Sequence, residues 1–140
     1  MIEADIESGI VTKLKELEPD LPVYTEQIVP RPLESAFFIQ LISSGQVKGL
    51  NRRYTRSLLY HIAFYPKPES VAKKEDCRRM GERLYAAMGI IDVNGPIRAR
   101  NLSCEVVDEV LHFSLDFQVT LVEEKPIEPK MKNLDQEVRT

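Results

Sequence analysis

The chain has 140 residues, 43% hydrophobic and 29% charged, with a formal net charge of −3. That length suits one domain, able to bury roughly two thirds of the surface its unfolded form exposes. No apolar run approaches the roughly 18–20 residues that span a bilayer, and the N-terminus lacks a basic region followed by an apolar core, so neither a membrane span nor a secretory signal is expected. Cys77 and Cys104 form neither a CxxC pair nor a zinc spacing, which fits synthesis in a reducing, intracellular compartment.

The small net charge conceals segregation. Residues 1–34 carry eight acids and three bases, residues 48–100 twelve bases and five acids, and residues 101–140 nine acids and four bases. Opposite patches on one small domain favour head-to-tail association with copies of itself or with a charged partner. Scattered charges on solvated loops are the plain alternative.

Ile2, Ile6, Ile10, Leu14 and Leu17 recur at spacings of four and three, the stripe of an amphipathic helix. Pro19 closes it, because the residue before a proline avoids the helical region. Residues 22–27 predict a short edge strand, and Pro30 and Pro32 make 30–35 irregular. Ala36 to Ile42 is apolar on both faces apart from Gln40, which predicts a central strand. Gly45 and Gly49 place a long hairpin loop over 43–51. Arg52 to Tyr65 predicts a long strand, with Leu58, Tyr60, Ile62 and Phe64 on one face and Leu59, His61, Ala63 and Tyr65 on the other.

A second helix is expected from an N-cap at Ser70, with Cys77, Met80, Leu84 and Met88 as its buried stripe and Gly89 as a left-handed C-terminal residue. Ile90 to Val93 suits a short strand before an Asn94-Gly95-Pro96 turn. Ile97 to Val107 predicts one weaker strand with Leu102, Cys104 and Val106 on one face. The last strand is the clearest. Leu111, Phe113, Leu115, Phe117, Val119 and Leu121 alternate with His112, Ser114, Asp116, Gln118 and Thr120, giving one dry and one wet face. The fold class is therefore α+β: a mixed or antiparallel sheet flanked by two helices in the order α-β-β-β-α-β-β. Residues 1–123 form a single domain. Residues 124–140 are expected to be a flexible charged tail, because a segment so rich in charge and proline buries too little apolar surface to order alone.

Little in the chain suggests catalysis. His61 and His112 lie on separate strands without ligand-type neighbours at i+2, and His112 and Asp116, four strand residues apart, are separated by about 13 Å. Both histidines are expected to be ordinary sheet residues. Residues 45–49 lack the Gly-Lys-Ser/Thr end of a phosphate loop. Neither a GxSxG elbow nor an HExxH motif occurs, and Cys77 in a helix stripe suits a small buried hydrophobe. No cofactor or metal is expected. Lys48, Arg52, Arg53 and Arg56, with Tyr54, form a basic loop that could grip a phosphate backbone. Four bases are a small footprint on an acidic chain, so protein docking is the preferred reading.

Several stretches together resemble the tail terminator family encoded in prophage tail modules. They are the opening helix ending in Leu17-Glu-Pro-Asp-Leu-Pro-Val-Tyr-Thr-Glu26, then Ser35-Ala-Phe-Phe-Ile-Gln40, and Asn51-Arg-Arg-Tyr54 leading to Phe64-Tyr-Pro66. The segment Cys77 to Tyr85 and Val110-Leu-His-Phe113 complete the likeness, which covers roughly residues 1–125. The resemblance implies a non-enzymatic virion protein, assembled in the bacterial host cytoplasm, that forms a ring, typically of six subunits, on the growing tail tube. It implies as partners further copies of the chain, the tail tube protein and a neck or head-completion protein, with incidental DNA in the channel and no membrane. The family has no catalytic residues to carry over. Candidate ring or tube contacts are Lys48, Arg52, Arg53, Tyr54, Arg56, Glu3, Glu7, Arg78 and Arg79. Another head–tail connector, or a small regulatory or nucleic-acid-binding α+β domain, are the alternatives.

Overall fold

The computed structural model describes residues 2–25 and 34–122. Two α-helices pack on one face of a five-stranded mixed sheet, the α+β arrangement expected. The elements are α1 (Ile2–Leu17), β1 (Val23–Tyr24), β2 (Ala36–Lys48), β3 (Arg53–Tyr65), α2 (Lys73–Ala87), β4 (Ile90–Asp92), β5 (Pro96–Arg98), β6 (Asn101–Val107) and β7 (Val110–Val122). The main sheet has the order β1-β2-β3-β7-β6, and β4 and β5 form a separate two-stranded ribbon. Only β1 is parallel to its neighbour; β2, β3, β7 and β6 pair antiparallel.

The core matches the two periodicities of the sequence. Ile6, Ile10 and Leu14 of α1, and Cys77, Met80 and Leu84 of α2, are buried against Leu58, Tyr60, Ile62 and Phe64 of β3 and Leu111, Phe113, Leu115 and Phe117 of β7. Burying each large aliphatic or aromatic side chain contributes about 1.5–3 kcal/mol relative to exposure. Tyr60 keeps its hydroxyl satisfied inside this layer by donating to the Glu3 carbonyl oxygen at 2.7 Å. The two helices are tied at one end by Arg83, which donates to the Leu17 carbonyl oxygen at 2.7 Å and pairs with Glu18.

Four local expectations are corrected. The segment 43–51 is not a long loop: β2 continues to Lys48. A bulge between Leu41 and Ser43 shifts the alternation by one residue, and that shift hid the strand. Ser70 is not the N-cap of α2, since the helix begins at Lys73 with Ala72 in the cap position. Ser70 instead accepts from the Ala72 N–H at 3.2 Å and donates to Asp76 at 2.5 Å, closing the turn before the helix. Gly89 is not left-handed, because the positive-φ residues are Asn51, Arg52, Asn94, Asp108, Glu109 and Gly95. Its carbonyl oxygen accepts from the Ala99 N–H at 2.8 Å, so the chain leaves α2 already aligned for the β4–β5 ribbon. The expected single strand over 97–107 is broken at Ala99–Arg100, with β5 joining β4 and β6 joining β7. The edge strand near Pro22 is present as β1, while residues 26–27, the proline-rich 30–33 and the charged tail lie outside the described residues.

Strand length exceeds helix length, and this shapes the molecule. The 13-residue strands β2, β3 and β7 each run about 43 Å, whereas the 16-residue α1 covers only about 24 Å. Burial therefore ends at Leu58 on β3 and Phe117 on β7. Beyond it, residues 43–48, 53–57 and 118–122 continue as a three-stranded arm, with Val47 71% and Val122 63% exposed.

At the other layer, α1 lies so close to β4 that a Cβ on Gly9 would stand 3.2 Å from the Asp92 carbonyl oxygen and 3.3 Å from Ile91. A Gly9→Leu substitution should therefore force helix and ribbon apart, lowering stability by about 1–3 kcal/mol in urea denaturation.

Candidate functional site

The arm places the basic residues singled out in the sequence. Its tip is a two-residue hairpin turn in which the Arg53 N–H donates to the Leu50 carbonyl oxygen at 3.0 Å. Asn51 and Arg52 take left-handed φ values of 56° and 61°, which match the right-handed twist of the strands they join. Asn tolerates that conformation. Arg has no such advantage and incurs a steric cost of about 1–2 kcal/mol. The turn aims Arg52 away from the body, with Leu50 beside it 85% exposed.

Behind the tip, Arg56 is braced. Its Nε and Nη2 both donate to Gln46 Oε1, at 3.1 and 2.6 Å, and its guanidinium lies 5.6 Å from the centre of the Tyr54 ring. Lys48, Arg52 and Arg53 are exposed and make no ion pair with a carboxylate among the described residues. The arm thus carries a cluster of exposed cations at its tip, on three paired strands.

The remaining candidates lie elsewhere. Glu3 and Glu7 are half-buried on α1. Both help to push the Tyr60 phenol well above its ordinary range, after the larger effect of burial. Arg78 and Arg79 share Glu75 on α2, at 3.0 and 3.7 Å, as a solvated helix face. Arg78 also lines an open groove of about 690 Å³ with Lys74, Val106, Asp108 and Glu109. That groove adjoins the β6–β7 turn, whereas the arm tip lies beside Val122. Twelve residues of β7 put about 40 Å between the two ends. The structure thus unites Lys48, Arg52, Arg53, Tyr54 and Arg56, and separates them from Arg78 and Arg79.

Burial pushes the Cys77 thiol up to about 11, helped by Asp76 and Glu109. Its Sγ donates to the Glu109 carbonyl oxygen at 3.5 Å. A thiol so held is a packing group that anchors the β6–β7 turn to α2, not a nucleophile. Among the described residues, no three or more His, Cys, Asp or Glu side chains converge as a metal site.

One constellation escapes the sequence reading. His61 and His112, expected to be ordinary sheet residues on separate strands, stand with Nε2 and Nδ1 2.9 Å apart on the helix-free face of the sheet. The alternation puts each on the outer face of a long strand, but their meeting depends on the β3–β7 register, which the sequence does not reveal. Burial, then the neighbouring His112, lower the proton affinity of His61.

These features define an α+β domain with a basic three-stranded arm that extends beyond its core. The sequence matches the model of the phage tail terminator protein family over residues 5–129, and the chain belongs to that family. The family is a structural one, which makes this protein a structural component of a phage tail. One solved structure is similar over 90% of this chain and 96% of its own, at 16% identity and a TM-score of 0.41. No curated protein matches the sequence.

The site's geometry has two measurable outcomes. Glycine at position 52 relieves the left-handed backbone but adds freedom to the unfolded chain. Arg52→Gly should leave thermal stability unchanged or raise it by up to about 1 kcal/mol. For His61, the unfolded imidazole titrates near 6.5 and the folded one lower. The unfolded state therefore takes up the proton first, so stability is full above pH 6.5 and declines as pH falls through the folded value. Denaturation midpoints measured from neutral pH down to about pH 5 should show this loss, and His61→Asn should flatten it.

Proposed function

We propose that this protein caps the phage tail tube as a closed ring, ends tube polymerisation and presents the surface to which the head or neck joins. Membership of the tail terminator family across residues 5–129 carries this reading. A ring of identical subunits requires two different surfaces per subunit, joined by a rotation that closes. The charge segregation of the sequence and the projecting basic arm supply one such surface.

In this reading, Lys48, Arg52 and Arg53 of one subunit engage the acidic first turns of α1 in its neighbour, around Glu3 and Glu7. Six is the expected ring number. The tube protein and a neck or head-completion protein meet the two open faces of the ring, and Arg78 and Arg79 on α2 are available to either. Exposed complementary charges govern encounter and register more than affinity, so the contact weakens as salt shortens the screening length.

The test is a tube polymerisation assay followed by electron microscopy. Adding the protein should arrest tube length and leave a ring at one end. Unchanged elongation without end density would reject the capping role. In native mass spectrometry, wild-type protein should give a discrete closed oligomer whose population falls with added salt. Arg52→Glu combined with Arg53→Glu should shift that oligomer toward monomer, and Arg52→Gly should do so to a lesser degree while remaining as stable as wild type. Undiminished oligomer in the double variant would remove the arm from the ring contact.

A further inference from the structure

We propose that His61 and His112 form a two-imidazole binding site for a borderline divalent transition-metal ion, of the Zn²⁺ or Cu²⁺ class, on the helix-free face of the sheet. The site is independent of the ring reading. His61 Nε2 and His112 Nδ1 are 2.9 Å apart, and the two rings are inclined by only 24° with centres 5.0 Å apart. Two imidazole nitrogens bound to one ion at about 2.0–2.1 Å stand about 2.9–3.4 Å apart in square or tetrahedral geometry. The nitrogens stand at a chelating separation in a head-on hydrogen bond, and rotation of the rings about their side-chain torsions turns both toward one ion.

Small residues flank the pair on the sheet, Ala63 among them only 6% exposed. His61 lies directly opposite Ser114, and His112 directly opposite Ala63. The two histidines occupy one diagonal of this four-residue square and two small residues occupy the other. β3 and β7 lie inside the sheet and pair over twelve residues, so each ligand stands on a strand hydrogen-bonded on both sides. Both rings are half-buried, reachable from solvent and partly fixed by their surroundings.

The chemistry balances without an added reagent. In the metal-free pair, one ring donates an N–H and the other accepts. The ion takes both facing lone pairs, and the donating ring carries its proton on its other nitrogen instead. Both imidazoles remain neutral and no net proton is released. No third His, Cys, Asp or Glu among the described residues completes the set, so water fills the remaining positions. Imidazole donors favour Zn²⁺, Cu²⁺ and Ni²⁺ over the oxygen-seeking Mg²⁺ and Ca²⁺. Exposed Cys104 pairs in register with Phe113 and would lie 3.4 Å from a Cβ on Gly81 of α2, which places its sulfur on the opposite face.

The experiment is calorimetric titration of the tag-free full chain with Zn²⁺, alongside electron paramagnetic resonance of the Cu²⁺ form. One ion per chain is expected, with two nitrogen ligands in the Cu²⁺ spectrum and no binding of Mg²⁺. His61→Asn and His112→Asn should each weaken binding by at least about tenfold, the low end of what even an outer-shell loss costs. Cys104→Ser should change nothing. Ala63→Leu fills the square while keeping both histidines, and should also abolish binding; it carries the test if a histidine variant fails to fold. Absence of binding by the wild type, or binding that survives loss of both histidines, overturns the proposal.

Discussion

The fold depends on one pairing. β3 and β7 are bonded along twelve residue pairs, from Arg53 opposite Val122 to Phe64 opposite Leu111. This ladder joins two strands that are far apart in sequence, and it fixes which side chains share a face. A slip of one residue would turn Leu58, Tyr60, Ile62 and Phe64 out to solvent and bring Leu59, His61 and Ala63 inward. Everything else is arranged against that ladder. α1 and α2 cover its apolar side, β2 and β6 extend it at either edge, and its excess length becomes the arm.

The same register explains how much could be read without coordinates. Alternation in Leu111–Leu121 and the stripe Ile2–Leu17 specify an element and a face together, because the hydrophobic period and the backbone period coincide. Both elements appear where the pattern put them. The bulge between Leu41 and Ser43 broke the coincidence, so a strand with polar residues on both sides resembled a glycine-containing loop. The β5–β6 break was invisible for a related reason, since Ile97 and Leu102 are both apolar yet serve different sheets. Gly89 fails as a left-handed cap because α2 leads straight into a ribbon that recruits its carbonyl oxygen, a tertiary demand absent from local sequence.

The candidate surface was legible in composition but not in shape. Lys48, Arg52, Arg53, Tyr54 and Arg56 stand out as a basic cluster in any reading of the chain. That Arg56 is occupied by Gln46 and Tyr54, while Arg52 sits in a strained turn pointing outward, required the fold. The histidine pair shows the limit more sharply. Two residues fifty-one positions apart met through a register that turn geometry and core packing set jointly. Assembly surfaces leave fainter marks in sequence than active sites, because they need shape and charge rather than a fixed set of reacting atoms.

The arm's being a sheet rather than a loop has a thermodynamic consequence. Ordering a flexible segment on contact costs about 1–2 kcal/mol of backbone entropy per residue. Residues 43–48 and 53–57 have already lost that freedom when the domain folds, through their pairing with each other and with β7. In the ring contact proposed above, a partner would meet a prong whose shape is set in advance, and a modest number of contacts at its tip would suffice for specific recognition. Such a contact should form with little change in heat capacity or in peptide-bond signal, unlike an interface that folds as it binds. Preorganisation also makes the prong a faithful spacer: its tip stands at a distance from the core set by the number of strand residues, not by the fluctuations of a tether.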